Sequence, residues 1–233
     1  MNSDRILLTG FEPFGSDDSN SAWDALAHVT ELIPGLKPVL LPVTFADAQV
    51  RLFEEIRDRN PSVVIACGQA TGRAALTIER VAVNFAQAPI PDNAGEQPGP
   101  SPIVEDGPAA YFTTLPIDDC VTAGRESGVP TAASTTAGTY VCNSLFYHLM
   151  HFVQGENVRK GRPANEISAG FIHIPASPRQ ALNGSVATMD SRLAGEGLAA
   201  IVRAASDGGR PTDSTDAGRD ARRGQGTAGG SIS

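Results

Sequence analysis

A chain of 233 residues, 41% hydrophobic and 19% charged, has the length of one globular domain with a sizeable core. Its formal net charge of -8 argues against a surface built to neutralise phosphates, so nucleic acid is not expected as a partner. The three cysteines, Cys67, Cys120 and Cys142, are an odd number without a C-x-x-C pair, which speaks against a disulfide framework or a thiolate zinc site and for a reducing, cytoplasmic compartment.

Taken in chain order, a short polar lead runs into the apolar triplet Ile6, Leu7 and Leu8, too brief for a signal-peptide core. No apolar stretch approaches the roughly 20 residues a membrane helix needs, so no membrane association is expected. Arg5 to Thr9 reads as a strand, and Trp23, Leu26 and Ala27 recur at helical spacing after it. Val39 to Val43 is a second strand, Gln49, Leu52, Phe53 and Ile56 a second helix, and Val63 to Cys67 a third strand. Leu76 to Phe85 alternates Thr77, Glu79, Val81 and Val83 with Ile78, Arg80, Ala82 and Asn84, which predicts one long strand or ribbon. Ala88 to Pro108 is dense in proline and glycine and reads as a long loop of the kind that carries function. Leu145, Leu149 and Val153 mark a helix and Ala169 to Ile174 a strand. The segment 207–233 has Ile232 as its only large apolar residue and balances Asp207, Asp213, Asp216 and Asp220 with Arg210, Arg219, Arg222 and Arg223. It is expected to be a disordered tail behind a catalytic body of residues 1–206.

Strands with continuous apolar runs, alternating with helices, imply an α/β domain with a mainly parallel sheet buried on both faces, its ligands bound beyond the carboxyl ends of the strands. Cys142 opens a helical pattern just after Gly138, which permits a tight entry turn. Backbone N–H groups and the helix dipole there favour a thiolate and suit a developing oxyanion, although a small buried core thiol fits the position too. His173 brings a titratable ring to the end of an apolar strand closed by Pro175, either as a base for a Cys-His pair or as a structural histidine. Glu79 sits in a β-rich segment next to Arg80: an ion pair, or the acceptor that would orient a catalytic histidine, a role for which Glu12, Asp47 and Asp190 compete. Cys67 ends a strand but no helix pattern follows it, so it ranks below Cys142 as a nucleophile. His148 and His151, three apart on a helix and without a third ligand, read as helix surface, and no metal is expected.

Seven segments then carry a resemblance: LLTGFEPFG at Leu7 to Gly15, CGQATGR at Cys67 to Arg73, IERVAVN at Ile78 to Asn84, IPDNAGEQP at Ile90 to Pro98, GPAAYFTTLPI at Gly107 to Ile117, AGTYVCN at Ala137 to Asn143 and GFIHIP at Gly170 to Pro175. From Leu7 to about Ser206 the chain resembles the pyroglutamyl peptidase I family of cysteine peptidases. The resemblance implies a single α/β/α sandwich around a twisted mixed sheet, no cofactor, a homotetramer or homodimer, and a triad of Glu79, Cys142 and His173. It implies hydrolysis of the amide bond after an N-terminal pyroglutamyl residue through a thioester. Phe11, Phe14, Val43, Ile90, Tyr140 and Val141 match its pocket positions, with Asn20 and Gln69 as hydrogen-bonding amides for a neutral lactam. Three departures stand out. Pro89 replaces an arginine common before the IPDN segment, removing a charge and a backbone donor near the active site; Tyr140 replaces a common phenylalanine; Ser21 stands where proline often follows the asparagine, which predicts a looser first loop. The competing readings are a binding protein that keeps the pocket without turnover and a related cysteine amidase.

Overall fold

The protein, seen in a computed structural model, is described for residues 3–159 and 167–207. Ile6–Phe11 (β1), Val63–Gln69 (β3) and Ser168–Ile174 (β8) are buried at nearly every position, as their unbroken apolar sequences require, and form the middle of a six-stranded sheet. With Val39–Leu41 (β2), Leu76–Glu79 (β4) and Thr131–Ser134 (β7) the order is β2-β1-β3-β8-β4-β7. Every pairing is parallel except β8 with β4, so β4 and β7 run against the other four and the sheet is mixed but mainly parallel.

Helices cover both faces. Ser21–Leu32 (α1), Ile117–Glu126 (α3) and Ser191–Asp207 (α5) lie on one side over Leu8, Ile65, Cys67, Ile78 and Ile172. Ala48–Arg59 (α2) and Val141–Arg159 (α4) lie on the other over Leu7, Val64, Ala66 and Phe171. Strand alternation sorts these two sets, and the result is the α/β/α sandwich expected. Among the described residues no helix is long and apolar enough to cross a membrane. Asp207 closes α5, and the rest of the expected tail lies outside the described residues.

The single long strand expected over Leu76 to Phe85 is instead two. At Arg80 the backbone N–H still donates to Ser134 of β7 at 2.8 Å, while its carbonyl accepts from Thr113 at 3.0 Å. The chain thereby leaves the main sheet, and Val81–Val83 (β5) pairs antiparallel with Ala110–Phe112 (β6). Both halves are extended, so the period-two pattern runs through the break unmarked.

The proline-rich stretch that follows is a loop, tied down at its ends. Asn84 accepts from the backbone N–H of Ile103 and Val104 at 2.8 and 2.9 Å and donates to the carbonyls of Val104 and Gly107 at 2.7 and 3.2 Å. Asn143 accepts from Val83 N–H at 3.1 Å and donates to the carbonyls of Val83 and Phe85, each at 3.0 Å. Asn84→Ala removes four hydrogen bonds at once, and chemical denaturation is expected to show a loss of about 2–4 kcal/mol; a change below about 0.5 kcal/mol would mean the loop holds its own shape.

Candidate active site

Three strands set a row across the face of the sheet that α4 covers. Gly68 on β3 is the register partner of His173 on β8, and His173 in turn pairs with Thr77 on β4. Two residues along β4, on the same face as Thr77, Glu79 is completely buried, and its Oε1 lies 2.7 Å from Nδ1 of the buried His173. A carboxylate only accepts, so Nδ1 carries the proton and Nε2 the lone pair. Glu79 has a second partner: Nη1 of Arg73 reaches the same Oε1 at 2.5 Å. The ion pair of Glu79 is therefore with Arg73 and not with its neighbour Arg80, which is exposed.

Cys142 is brought to this row by the entry into α4. Gly138 has φ +79°, a left-handed conformation that a Cβ would strain, and its N–H is held by Thr136 Oγ1 at 3.1 Å. The helix then starts at Val141, one residue before the cysteine. The sulfur comes to rest over Gly68, where a Cβ would stand 3.0 Å from Cys142 Sγ and 2.9 Å from Phe171 Cζ. Only a residue without a side chain leaves room for the thiol on the strand next to His173. Cys67, one residue earlier, points to the opposite face and is buried among the residues under α1, α3 and α5. It shares no space with the site, and burial pushes its thiol far up.

The electrostatics differ from the expectation of a thiolate at a helix start. Burial pushes the Cys142 thiol up to about 12 and the Glu79 carboxylate adds to this, while Arg73 and the cysteine's own backbone N–H act in the other direction. The sulfur faces inward, so desolvation outweighs the helix terminus. Burial likewise holds His173 below the usual imidazole range, against the hydrogen bond and charge of Glu79 and with a smaller push from Arg73. The resting pair is a thiol beside a neutral imidazole.

Beside the sulfur opens a cavity of about 60 Å³ lined by Phe11, Phe14, Asn20, Val43, Gln69, Tyr140, Val141 and Cys142. All the expected pocket residues are on its wall except Ile90, which is 45% exposed. Asn20 and Gln69 are already engaged. Asn20 caps α1 by accepting from Ala22 N–H at 3.0 Å and donates to the Glu12 carbonyl. Gln69 accepts from Ser21 N–H and from Gln180, each at 2.9 Å, and donates to Asp17 at 3.2 Å. Each side-chain amide keeps one N–H beyond these bonds. The Ser21 bond also reverses the expectation of a looser first loop: proline has no N–H, so serine adds a tie from the loop to β3. The Tyr140 hydroxyl finds its partner in the Pro91 carbonyl at 2.9 Å, and the Tyr140 ring meets Phe45 edge-on.

The competing acids have other work. Glu12 accepts from Val43 N–H and Asn93, Asp47 pairs with Thr44, and Asp190 caps α5. His148 and His151, neighbours on α4, have separate partners. His148 is partly buried edge-on to Phe53, which, with His151 nearby, lowers it to about 4, whereas His151 Nδ1 lies 2.8 Å from the Tyr111 hydroxyl. Arg73 is the side chain at this site that reading the sequence missed. Its signal was an arginine at the end of one matched segment, six residues before the acid of the next.

A thiol, an imidazole and a buried carboxylate gathered at the carboxyl ends of β3 and β8 define a hydrolase of the cysteine type. The pyroglutamyl peptidase family model matches residues 4–207. The chain is 47% identical over 182 residues to the pyrrolidone-carboxylate peptidase of Yersinia pestis, covering 77% of this chain and 81% of that protein. It superimposes on the crystal structure of pyroglutamyl peptidase I from Bacillus amyloliquefaciens with a TM-score of 0.77 at 39% identity, over 86% of this chain and 94% of the other. Pyrrolidone carboxyl peptidase from Thermococcus litoralis gives 0.76 at 33% identity, over 87% and 93%. The chain belongs to the pyroglutamyl peptidase family.

Proposed function

We propose that Cys142, His173 and Glu79 carry out the reaction of this family, the removal of an N-terminal pyroglutamyl residue from a peptide, with Cys142 as nucleophile. The observation that carries this reading is the bond from His173 Nδ1 to buried Glu79, which leaves Nε2 as the base on the row where the Cys142 sulfur rests. His173 Nε2 takes the thiol proton as sulfur attacks the pyroglutamyl carbonyl carbon. The oxyanion is met by the backbone N–H of Cys142, and Glu79 stabilises the imidazolium. The imidazolium returns its proton to the departing amine, leaving a thioester. Water, deprotonated by His173, then attacks the thioester, releasing pyroglutamate and restoring the thiol.

The walls explain the substrate class. Phe11, Phe14, Val43, Tyr140 and Val141 present no charge, which suits a neutral five-membered lactam and penalises the ammonium of an ordinary N-terminus. The remaining N–H of Asn20 and of Gln69 is available to the ring carbonyl. Free cysteines fit a reducing cytoplasm, and the family resemblance carries a homo-oligomer, a tetramer or a dimer.

The test compares a fluorogenic pyroglutamyl amide with the matching prolyl amide, which keeps the ring but bears an amine. Rapid release from the first and at least about 100-fold less kcat/KM for the second is expected. Equal cleavage of both would favour a broader amidase, and binding of the pyroglutamyl amide without release would favour a silent binding protein.

A further inference from the structure

Arg73 joins three parts of the active site that the sequence keeps apart. Its guanidinium donates to Glu79 Oε1 and Thr77 Oγ1 on β4, and through Nη2 to the Thr136 carbonyl at 2.8 Å, in the linker that leads through Gly138 to Cys142. Its own backbone N–H is held by Ala70 at 3.3 Å, in the turn after β3. One planar fork thus spans the strand carrying the acid, the turn behind Gly68 and the linker to the nucleophile. We propose that Arg73 is a positioning residue of the catalytic constellation, holding the Glu79 carboxylate against His173 and fixing the approach of the Cys142 linker to it. This rests on the triad reading above.

One general argument and one observation separate this from a plain structural ion pair. Stability alone does not call for a buried pair, since apolar side chains of similar volume serve as well. The charged groups that act on His173 are also few: Glu79 from β4 and Arg73 from the turn after β3. Arg73 is the cation among them, where Pro89 supplies none. It lowers both His173 and Cys142. Without it the imidazole holds its proton to higher pH and the thiol gives up its proton less readily. The first takes His173 out of its base form at the acid end of the range, and the second makes Cys142 a weaker acid.

The experiment measures kcat, KM and the pH profile of kcat/KM for wild type, Arg73→Lys and Arg73→Met with a pyroglutamyl amide, well below each variant's thermal midpoint. Arg73→Met is expected to lose about 10–100-fold in kcat with KM within about threefold, and its acid limb to move up by about half to one pH unit. Arg73→Lys keeps the charge and loses the fork, so its acid limb stays near wild type while kcat falls about 5–10-fold. A folded Arg73→Met with kcat within twofold of wild type and an unmoved acid limb, whatever its thermal midpoint, overturns the proposal. If Arg73→Met does not fold, Arg73→Lys decides: kcat within twofold overturns it. Alkylation of Cys142 by iodoacetamide across pH needs no peptide. It is expected to slow in Arg73→Met and to stay near wild type in Arg73→Lys, and an inactive wild type whose alkylation ignores Arg73→Met would sink the proposal together with the triad reading.

Discussion

Cys142→Ala is expected to lower the rate of pyroglutamyl amide hydrolysis by more than about 10³-fold while leaving thermal unfolding within a few degrees of wild type. The sulfur rests over Gly68, the register partner of His173, while the Thr77 hydroxyl on the same row is taken up by Arg73, and loss of the sulfur leaves a small gap at the edge of the cavity, not in the core. Cys67→Ala is the matched control. It deletes a sulfur buried under α1, α3 and α5, so it lowers stability by about 1 kcal/mol and spares kcat. Because thiol and imidazole both rest neutral, wild-type activity requires unprotonated His173. Burial lowers the pKa of that histidine, so the acid limb of kcat/KM is expected below the ordinary value of about 6.5, with activity held above the limb and lost as pH falls through it. For the same reason iodoacetamide should modify Cys142 slowly at pH 7 and faster as pH rises. Fast alkylation at pH 7 that does not change up to pH 9 would show a preformed thiolate and sink the neutral-pair account.

The second large effect comes from a residue that takes no part in the chemistry. Gly68→Ala places a methyl group 3.0 Å from Cys142 Sγ and 2.9 Å from Phe171 Cζ. Phe171 is fully buried and packs on Phe146 and His173, so the ring has little room to yield and the thiol must move. Displacing a reacting atom by about 1 Å costs on the order of 100-fold in rate. Gly68→Ala is therefore expected to reduce kcat about 10–100-fold, with a loss of about 1–2 kcal/mol from overpacking. Steady-state kinetics beside thermal melts would check both, and a variant with wild-type kcat would mean the sulfur does not rest on Gly68 during turnover.

The elements that the sequence made legible are those whose side chains declare their surroundings. β1, β3 and β8 are buried on both faces and read as unbroken apolar runs. α1 and α2 are amphipathic and read by spacing. α5 was not recognised, because its buried face is mainly alanine and glycine. Gly195 lets it approach α1 so closely that a Cβ would stand 2.6 Å from His28 Cβ, a packing written in missing atoms. The sheet switch at Arg80 was invisible for a different reason: hydrogen-bond partners change there while the extended backbone does not. At the site, Cys142, His173 and Glu79 could be named because each residue type is out of place in its element, and the family resemblance selected Glu79 over Glu12, Asp47 and Asp190. What spacing could not supply was the environment. The helix start suggested a thiolate, and only the inward direction of the sulfur reveals that desolvation prevails. Asn20 and Gln69 suggested ligand contacts, and only the three-dimensional neighbours show how much of each amide the first loop already holds.

Asn84 and Asn143 lead to a different kind of conclusion. They clasp the two roots of the proline-rich loop, one at Ile103 to Gly107 and the other at Val83 and Phe85, and neither belongs to the stretch between. Asn143 is also the residue next to the nucleophile. The loop is thus held to the catalytic frame at its roots, and its middle is pinned as well, through Pro91 to the Tyr140 hydroxyl, Asp92 to Phe45 N–H, and Asn93 to Glu12 and the Pro13 carbonyl. A graft that keeps Cys142 aimed therefore has to preserve the two asparagines and these central ties together, so the loop is inherited with the frame beneath it.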